Sequence, residues 1–560
     1  MRPSPISDRP SGFRGTFRTD PLARSVYAEG AGIARELPAA VAVPADADDL
    51  PALVQWARFY GHTLIPRGSG TGMAGGAVGP GVIVDLSRFT TMEPVDVDAR
   101  SVRVGVGALR GAVDASARAH GLRFPVDPSS GAFCTIGGMV ASNAAGARSL
   151  RYGATRPWVR AIHAVFDDGR SAWIRRGDPW PLHIPAVARL ATALQQTAAM
   201  DAAQLPPGLL TRDGVLKESS GYAVAATLAP NGHLVDLLVG SEGTLALFTA
   251  VELALCPVPG ATGTVLAVFP SLETATTCAM AARALGVSAC ELLDRTFLDV
   301  AATDGPTGID PRAEAVLLIE VEGDDAAAVT AQIAQLSDRC LAEGAESVAT
   351  GLDAETQHRL WALRHAASPI LARLAPRLRS MQFIEDGCVP PVHFPAYVRG
   401  VRAALARAGI TGVIFGHAGD AHAHVNPLVD VTQPDWRDRV TQLWSDVATL
   451  TAQLGGTLAG EHGDGRLRAP WLPRSWPVAA RAVFAHIKAA ADPTGVFNAG
   501  CKVAAETAPL LPAAMRHDPE ADPLDPRARA FLDQIEQTRR WQTFRLDGAP
   551  DGAPDDGVAV

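Results

Sequence analysis

The sequence predicts an α+β protein of more than one domain, and three observations carry that reading. The chain of 560 residues exceeds what a single hydrophobic core holds comfortably. Up to Cys256, short β-branched runs alternate with glycine-rich loops. Beyond Cys256-Pro257-Val258-Pro259-Gly260 the texture changes to strands separated by long Ala/Leu helices, an α+β or α/β pattern with an antiparallel sheet and helices on one side.

The elements follow in order. Residues 1–37 read as a polar N-terminal segment and 38–257 as a first domain. In it, a strand at Val41–Pro44 precedes a helix near Asp48, whose side chain is placed to cap it. Strands at Thr63–Pro66 and Val82–Leu86 flank a loop too glycine-rich for a helix, and 102–109 and 160–174 extend the strand count. A second domain, 258–484, combines strands at Val265–Phe269, Val316–Val321 and Met381–Ile384 with helices at 273–286, 325–342, 354–374, 393–408 and 433–454. Residues 485–503 return to the first domain. The rest, 504–560, is expected to be partly disordered, its Gly-Ala-Pro-Asp repeats most of all.

Composition excludes several classes. A formal net charge of -9 leaves no basic footprint for nucleic acid. Met1-Arg2-Pro3-Ser4-Pro5 does not resemble a secretory signal, and Leu234–Cys256, the most apolar stretch, is broken by Asp236, Ser241, Glu242 and Gly243. Seven dispersed cysteines without a CxxC pair argue against disulfides and iron–sulfur clusters. A cytoplasmic location is expected, with peripheral attachment to the inner membrane left open.

Three glycine segments carry chemistry. Gly70-Thr71-Gly72-Met73-Ala74-Gly75 fits the GxGxxG spacing, but it leads to a strand rather than opening a helix, which rules out the dinucleotide-binding βαβ unit. Pro66-Arg67-Gly68-Ser69-Gly70-Thr71-Gly72 instead offers successive unobstructed N–H groups, an anion nest suited to a diphosphate. A short helix from Thr135 in Thr135-Ile136-Gly137-Gly138-Met139 is expected to present free N–H groups to a ligand. Val239-Gly240-Ser241-Glu242-Gly243 is the third. A flexible turn is the competing reading for any one loop; three together favour a ligand.

Together these segments resemble the flavin-binding domain of the vanillyl-alcohol oxidase / p-cresol methylhydroxylase superfamily. Within it, the D-lactate dehydrogenase, glycolate oxidase and D-2-hydroxyglutarate dehydrogenase branch is the most similar, over roughly residues 38–503. The resemblance implies a p-cresol methylhydroxylase-type FAD-binding domain with an α+β cap domain. It assigns FAD to Pro66, Arg67, Gly68, Ser69, Gly70, Thr71, Gly72, Pro128, Thr135, Gly137, Gly138, Asn143, Gly146, Gly243 and Asn498. Lys217 and Ser220-Gly221-Tyr222 resemble a further conserved contact. Thr71 stands where covalent members carry histidine, so the resemblance implies non-covalent FAD.

The second domain concentrates Gly416-His417-Ala418-Gly419-Asp420-Ala421-His422-Ala423-His424-Val425-Asn426 and Gly460-Glu461-His462-Gly463-Asp464. Alternation puts His422 and His424 on one side of a strand, and His417 joins them only if Ala418-Gly419 turns the chain back. Two imidazoles and a carboxylate suit a borderline divalent ion, Zn²⁺ first and Mn²⁺ or Fe²⁺ next. The resemblance makes His417, His424 and Glu461 the ligands, His462 the base, and Arg364 with Ser368 one turn on the substrate-carboxylate site. It implies oxidation of a small D-2-hydroxy acid, with lactate, 2-hydroxyglutarate or a relative as substrate. An electron-transfer flavoprotein, quinone, cytochrome or iron–sulfur partner takes the electrons, and a homodimer is compatible. No lysine lies just ahead of Phe383-Ile384-Glu385-Asp386, which weakens a five-carbon dicarboxylate, and no cysteine follows Cys501. An aldonate or sugar-acid dehydrogenase, a flavin electron-transfer subunit and a flavin-free metal hydrolase are the competing readings.

Overall fold

Val, Ile and Ala runs of four residues suit strands buried on both faces, and the first of them build a small mixed sheet. A computed structural model describes residues 6, 9–200, 206, 208–303, 307–371, 377–505 and 507–550, excepting the side chains of 365–371. In the mixed sheet, Ala40–Val43 and Leu64–Arg67 both run parallel to the central strand Val82–Asp85, and Thr16–Arg18 pairs antiparallel with Ala40–Val43. The glycine loop leaves this sheet at the end of Leu64–Arg67 and returns as Val82–Asp85 with no helix between them.

The helix over Asp49–Tyr60 starts where expected, but Asp48 makes no side-chain cap. Asp49 is the buried acid instead, accepting from the N–H groups of Arg14, Gly15 and Ala45 and so tying the N-terminal segment to the sheet. A second, antiparallel sheet has the order Ser101–Gly105, Leu247–Ala254, Val159–Val165, Ser171–Arg175. The last two form the hairpin within 160–174.

The second region is one large antiparallel sheet. Its order is Ser347–Gly351, Ala261–Phe269, Ala315–Gly323, Ala289–Asp294, Thr411–His417, His422–Asp430, Leu378–Ser380, with Gly387–Cys388 also paired to His422–Asp430. The helices Leu272–Ala284, Ala326–Ala342, Phe394–Ala408 and Trp436–Gln453 pack their buried faces into a single core with it. Met381–Ile384 is not a strand. The partner strand carries Pro427, which accepts from Met381 N–H but has no N–H to return, so the ladder stops.

The chain then comes back to the mixed sheet: Leu64 N–H donates to Val496 and Asn498 N–H to Leu64. The stretch after 503, expected to be partly disordered, contains the helix Pro526–Thr538 and a turn at Arg545–Gly548; residues 551–560 lie outside the described residues. Among the described residues no helix is long and apolar enough to cross a membrane.

Candidate active site

The glycine loop and the histidine cluster line the same cavity, of about 370 Å³, within the range of cofactor and substrate sites. One wall is Pro66 to Gly72 with Pro128, Thr135, Gly137, Gly138 and Gly243; the other is Arg364, His417, His424, Glu461 and His462.

The loop fits an anionic cofactor. Among the described residues, no backbone N–H from Ser69 to Met73 has a protein acceptor, and the buried Ser69 hydroxyl has none either. A side chain at Gly72 would meet nothing within 4 Å, so the backbone lies open to a ligand. Gly243, at φ +66, packs its backbone against Pro66, where an added Cβ would fall 2.3 Å from Cγ.

Other glycines serve packing. The helix Ile136–Ser142 does begin after Thr135, whose side chain accepts from Gly138 N–H. Its first N–H groups are not free, however: Ile136 donates to Ala108 and Gly137 to Val106, because the chain after Ser101–Gly105 runs beside the helix start. Gly137 is required by closeness to Val106, 2.6 Å from a built Cβ. Asn143, Gly146 and Asn498 do not line the cavity. Asn143 caps that helix in the left-handed region and accepts from Arg156 N–H, while Gly146 backs onto Asp127. Asn498 joins Gly76 to Glu242 through its amide. These three brace the walls from behind. Arg67 does the same from the rim, its guanidinium turned away to the carbonyls of Tyr27, Glu29 and Ala77.

The histidines owe their meeting to a hairpin. Thr411–His417 ends in a single turn over Ala418–Asp420, Ala421 takes φ 55, and His422–Asp430 returns antiparallel. His417 Nε2 then lies 3.3 Å from His424 Nε2 and 3.2 Å from Glu461 Oε1, and His424 Nε2 lies 3.4 Å from the same oxygen. A tetrahedral ion with ligands at about 2.0–2.1 Å separates them by about 3.3–3.4 Å, so the donor set fits one ion. The outer atoms are also held: His417 Nδ1 to Glu291 at 2.5 Å and His424 Nδ1 to the Glu385 carbonyl at 2.7 Å. His422 turns its Nε2 to Asp386, at 2.9 Å, while its buried Nδ1 has no partner; with His417, His424 and Glu461 it offers ligand atoms that lie within 4.8 Å of one another.

Charge is balanced from behind. Burial works against ionisation of Glu461, but Lys217 Nζ at 3.1 Å, with His417, holds it far below the usual carboxylate range. Lys217 therefore belongs to the histidine side of the cavity. Burial likewise opposes a charge on His417, yet Glu291 lifts it to about 9, and an ion bound there takes the place of that proton. His462 is raised against burial by Asp386 and Glu385. Asp386 also accepts from the N–H groups of Glu461 and His462, which fixes the Gly460–Gly463 loop, and Arg468 pairs with Glu385.

Arg364, buried at the cavity wall, donates from Nε to Glu291 at 2.7 Å, so one carboxylate joins it to His417. The side chain of Ser368 lies outside the described residues. Glu291, Glu385, Asp386 and Arg468 were not assigned roles from sequence, and Lys217 was placed only as a further conserved contact. The available signal was a charge in an apolar strand, Ala289-Cys290-Glu291-Leu292-Leu293, where an unpaired carboxylate is costly.

Two family patterns match this chain: "FAD binding domain" over residues 38–175 and "FAD linked oxidases, C-terminal domain" over 258–501. A D-lactate dehydrogenase of Archaeoglobus fulgidus is 30% identical over 82% of this chain and 90% of its own length. Glycolate oxidase subunit GlcD of Bacillus subtilis is 28% identical over 83% and 89%. A D-2-hydroxyglutarate dehydrogenase of Pseudomonas putida is 30% identical over 96% of this chain, which spans about half of it (54%). Among solved structures, 4-ethylphenol oxidase from Gulosibacter chungangensis superposes with a TM-score of 0.62 at 15% identity, over 89% of this chain and 94% of that one, a likeness of fold. The chain belongs to the FAD-linked oxidase family and carries its p-cresol methylhydroxylase-type fold.

Proposed function

We propose that this protein is an FAD-dependent dehydrogenase of a small D-2-hydroxy acid, yielding the 2-oxo acid, with a divalent cation at His417, His424 and Glu461. The observation that carries the reading is the single cavity bounded by an open diphosphate loop on one side and a charge-balanced N,N,O triangle on the other. The D configuration and the substrate class follow the names of the relatives. When bound, flavin supplies a two-electron acceptor and the cation a Lewis acid that makes an alcohol acidic.

The protein's own residues do the rest. His462, stacked on His424 with ring centroids 5.4 Å apart, takes the hydroxyl proton; Glu385 at 3.3 Å from Nδ1 fixes its ring, and the acids that raise its pKa strengthen it as a base. Arg364 meets the substrate carboxylate, with Ser368 as its partner on the same helix. Asn426, also at the wall, is a polar partner for the substrate. Electrons leave to a separate acceptor, an electron-transfer protein or quinone.

The test is anaerobic mixing with a panel of D- and L-2-hydroxy acids while flavin absorbance is followed. Bleaching by one D-acid, abolished in His462→Ala, is expected. Equal bleaching by the L-enantiomer overturns the stereochemistry. A yellow protein that no acid bleaches overturns the dehydrogenase in favour of an electron-transfer subunit.

A further inference from the structure

Among the described residues, the stretch after 503 adds nothing to the cavity wall, yet it reaches the glycine loop from behind. Helix Pro526–Thr538 and the turn Arg545–Gly548 set Ala528, Leu546 and Ala549 against Val41, Ile65 and Ile83 of the mixed sheet, closing a small core of their own. That docking buries Arg545, 3% exposed, under the loop. Its Nη2 donates to the Ser69 carbonyl at 3.3 Å and its Nη1 to the Thr543 carbonyl at 3.2 Å. Arg67, 2% exposed, lies close by and donates to carbonyls alone.

The charges here do not cancel. The Nε of each arginine has no partner, and among the described residues neither guanidinium forms an ion pair. Asp85 is an acid whose charge acts on both, and its carboxylate is held by the Tyr27 hydroxyl and Ser87 N–H. Glu29 and Glu536 are engaged by Arg516 and Arg529. Burial already pulls Arg545 down to about 9. An uncompensated cation in a protein interior is costly. On the cavity side of Ser69, meanwhile, the backbone N–H groups lack acceptors. An anion in the loop satisfies both deficits at once.

We propose that Arg545, with Arg67, forms a buried cationic backing for the cofactor diphosphate, which makes residues 526–549 a working part of the cofactor site. The match to the family's C-terminal pattern ends at 501, so this piece lies outside it. The inference rests on the flavin reading above.

The test uses the full chain stripped of flavin, as wild type, Arg545→Met and Arg545→Lys. FAD affinity is read from quenching of flavin fluorescence, and melting temperature is taken with and without FAD. Arg545→Met is expected to weaken FAD by about tenfold or more, while the apoprotein melts no lower than wild type because a stranded charge has gone. Arg545→Lys is expected to keep most of the affinity. Unchanged FAD affinity in Arg545→Met overturns the proposal. So does an equal fall in the melting temperatures of apo and loaded forms, which marks a plain strut. If the wild type itself binds no FAD, the flavin reading fails with it.

Discussion

Glu291 joins two side chains of the site, since it holds both His417 Nδ1 and Arg364 Nε from a fully buried position. Replacement by alanine removes the group that orients a ligand, and an outer partner of this kind is worth about 10–100-fold in cation affinity. Metal titration of Glu291→Ala is expected to show that loss, and unchanged affinity would remove Glu291 from the site. Asp294, three residues on, titrates in the physiological range. Burial lifts its pKa from 3.8 to about 7, although its carboxylate caps the helix Arg295–Ala302. The folded state thus holds the proton more tightly than the unfolded chain, and stability falls as pH rises from about 4 to about 7. Asp294→Asn keeps the cap and abolishes the titration. Its melting temperature relative to wild type is expected to rise steadily between pH 5 and pH 8, and a pH-independent difference refutes this. Sequence exposed the clustered histidines because short glycine-flanked segments hold them together. It hid Glu291, Arg468 and the pairing of Lys217 with Glu461, since which charges meet across a fold depends on packing between distant segments.

At the scale of elements, close backbone contact decides which glycines matter. Gly243→Val forces a left-handed backbone onto a β-branched residue and drives its Cβ into Pro66. A loss of about 2–5 kcal/mol in urea unfolding is expected, with flavin release before global unfolding; an unperturbed variant would show that the loop and Gly243 move independently. The strand order of the large sheet was not legible from periodicity, whereas the failure of the GxGxxG context was, because a following strand is a local property. The free N–H groups expected after Thr135 were absent for a non-local reason: a neighbouring extended segment, Val106–Ala108, claims them. Pairing between regions is equally invisible locally. Glu322, in Ala315–Gly323, accepts from Arg123 and Tyr152, which belong to the flavin-binding region. Glu322→Ala strands Arg123 in a buried site, and a cost of about 3–5 kcal/mol is expected by chemical denaturation. A loss under 1 kcal/mol would show that this network does not hold the two regions together.

For the whole molecule, the donor triangle is assembled by protein partners and so stands without an ion. Dialysis against chelator is expected to abolish turnover while far-UV circular dichroism and the flavin spectrum remain, with Zn²⁺ or Mn²⁺ restoring turnover. Undiminished turnover at zero metal by elemental analysis would refute a metal-assisted reaction. The grip of one carboxylate on two neighbouring side chains of one wall has a consequence for how the site responds to its ligands. An unreactive anion captured by Arg364 loosens that arginine's hold on Glu291, which then leans harder on His417 and makes the imidazole a better electron donor. Cation and inhibitor become heterotropic effectors of one another. Each tightens the other by the same factor, as thermodynamic reciprocity requires.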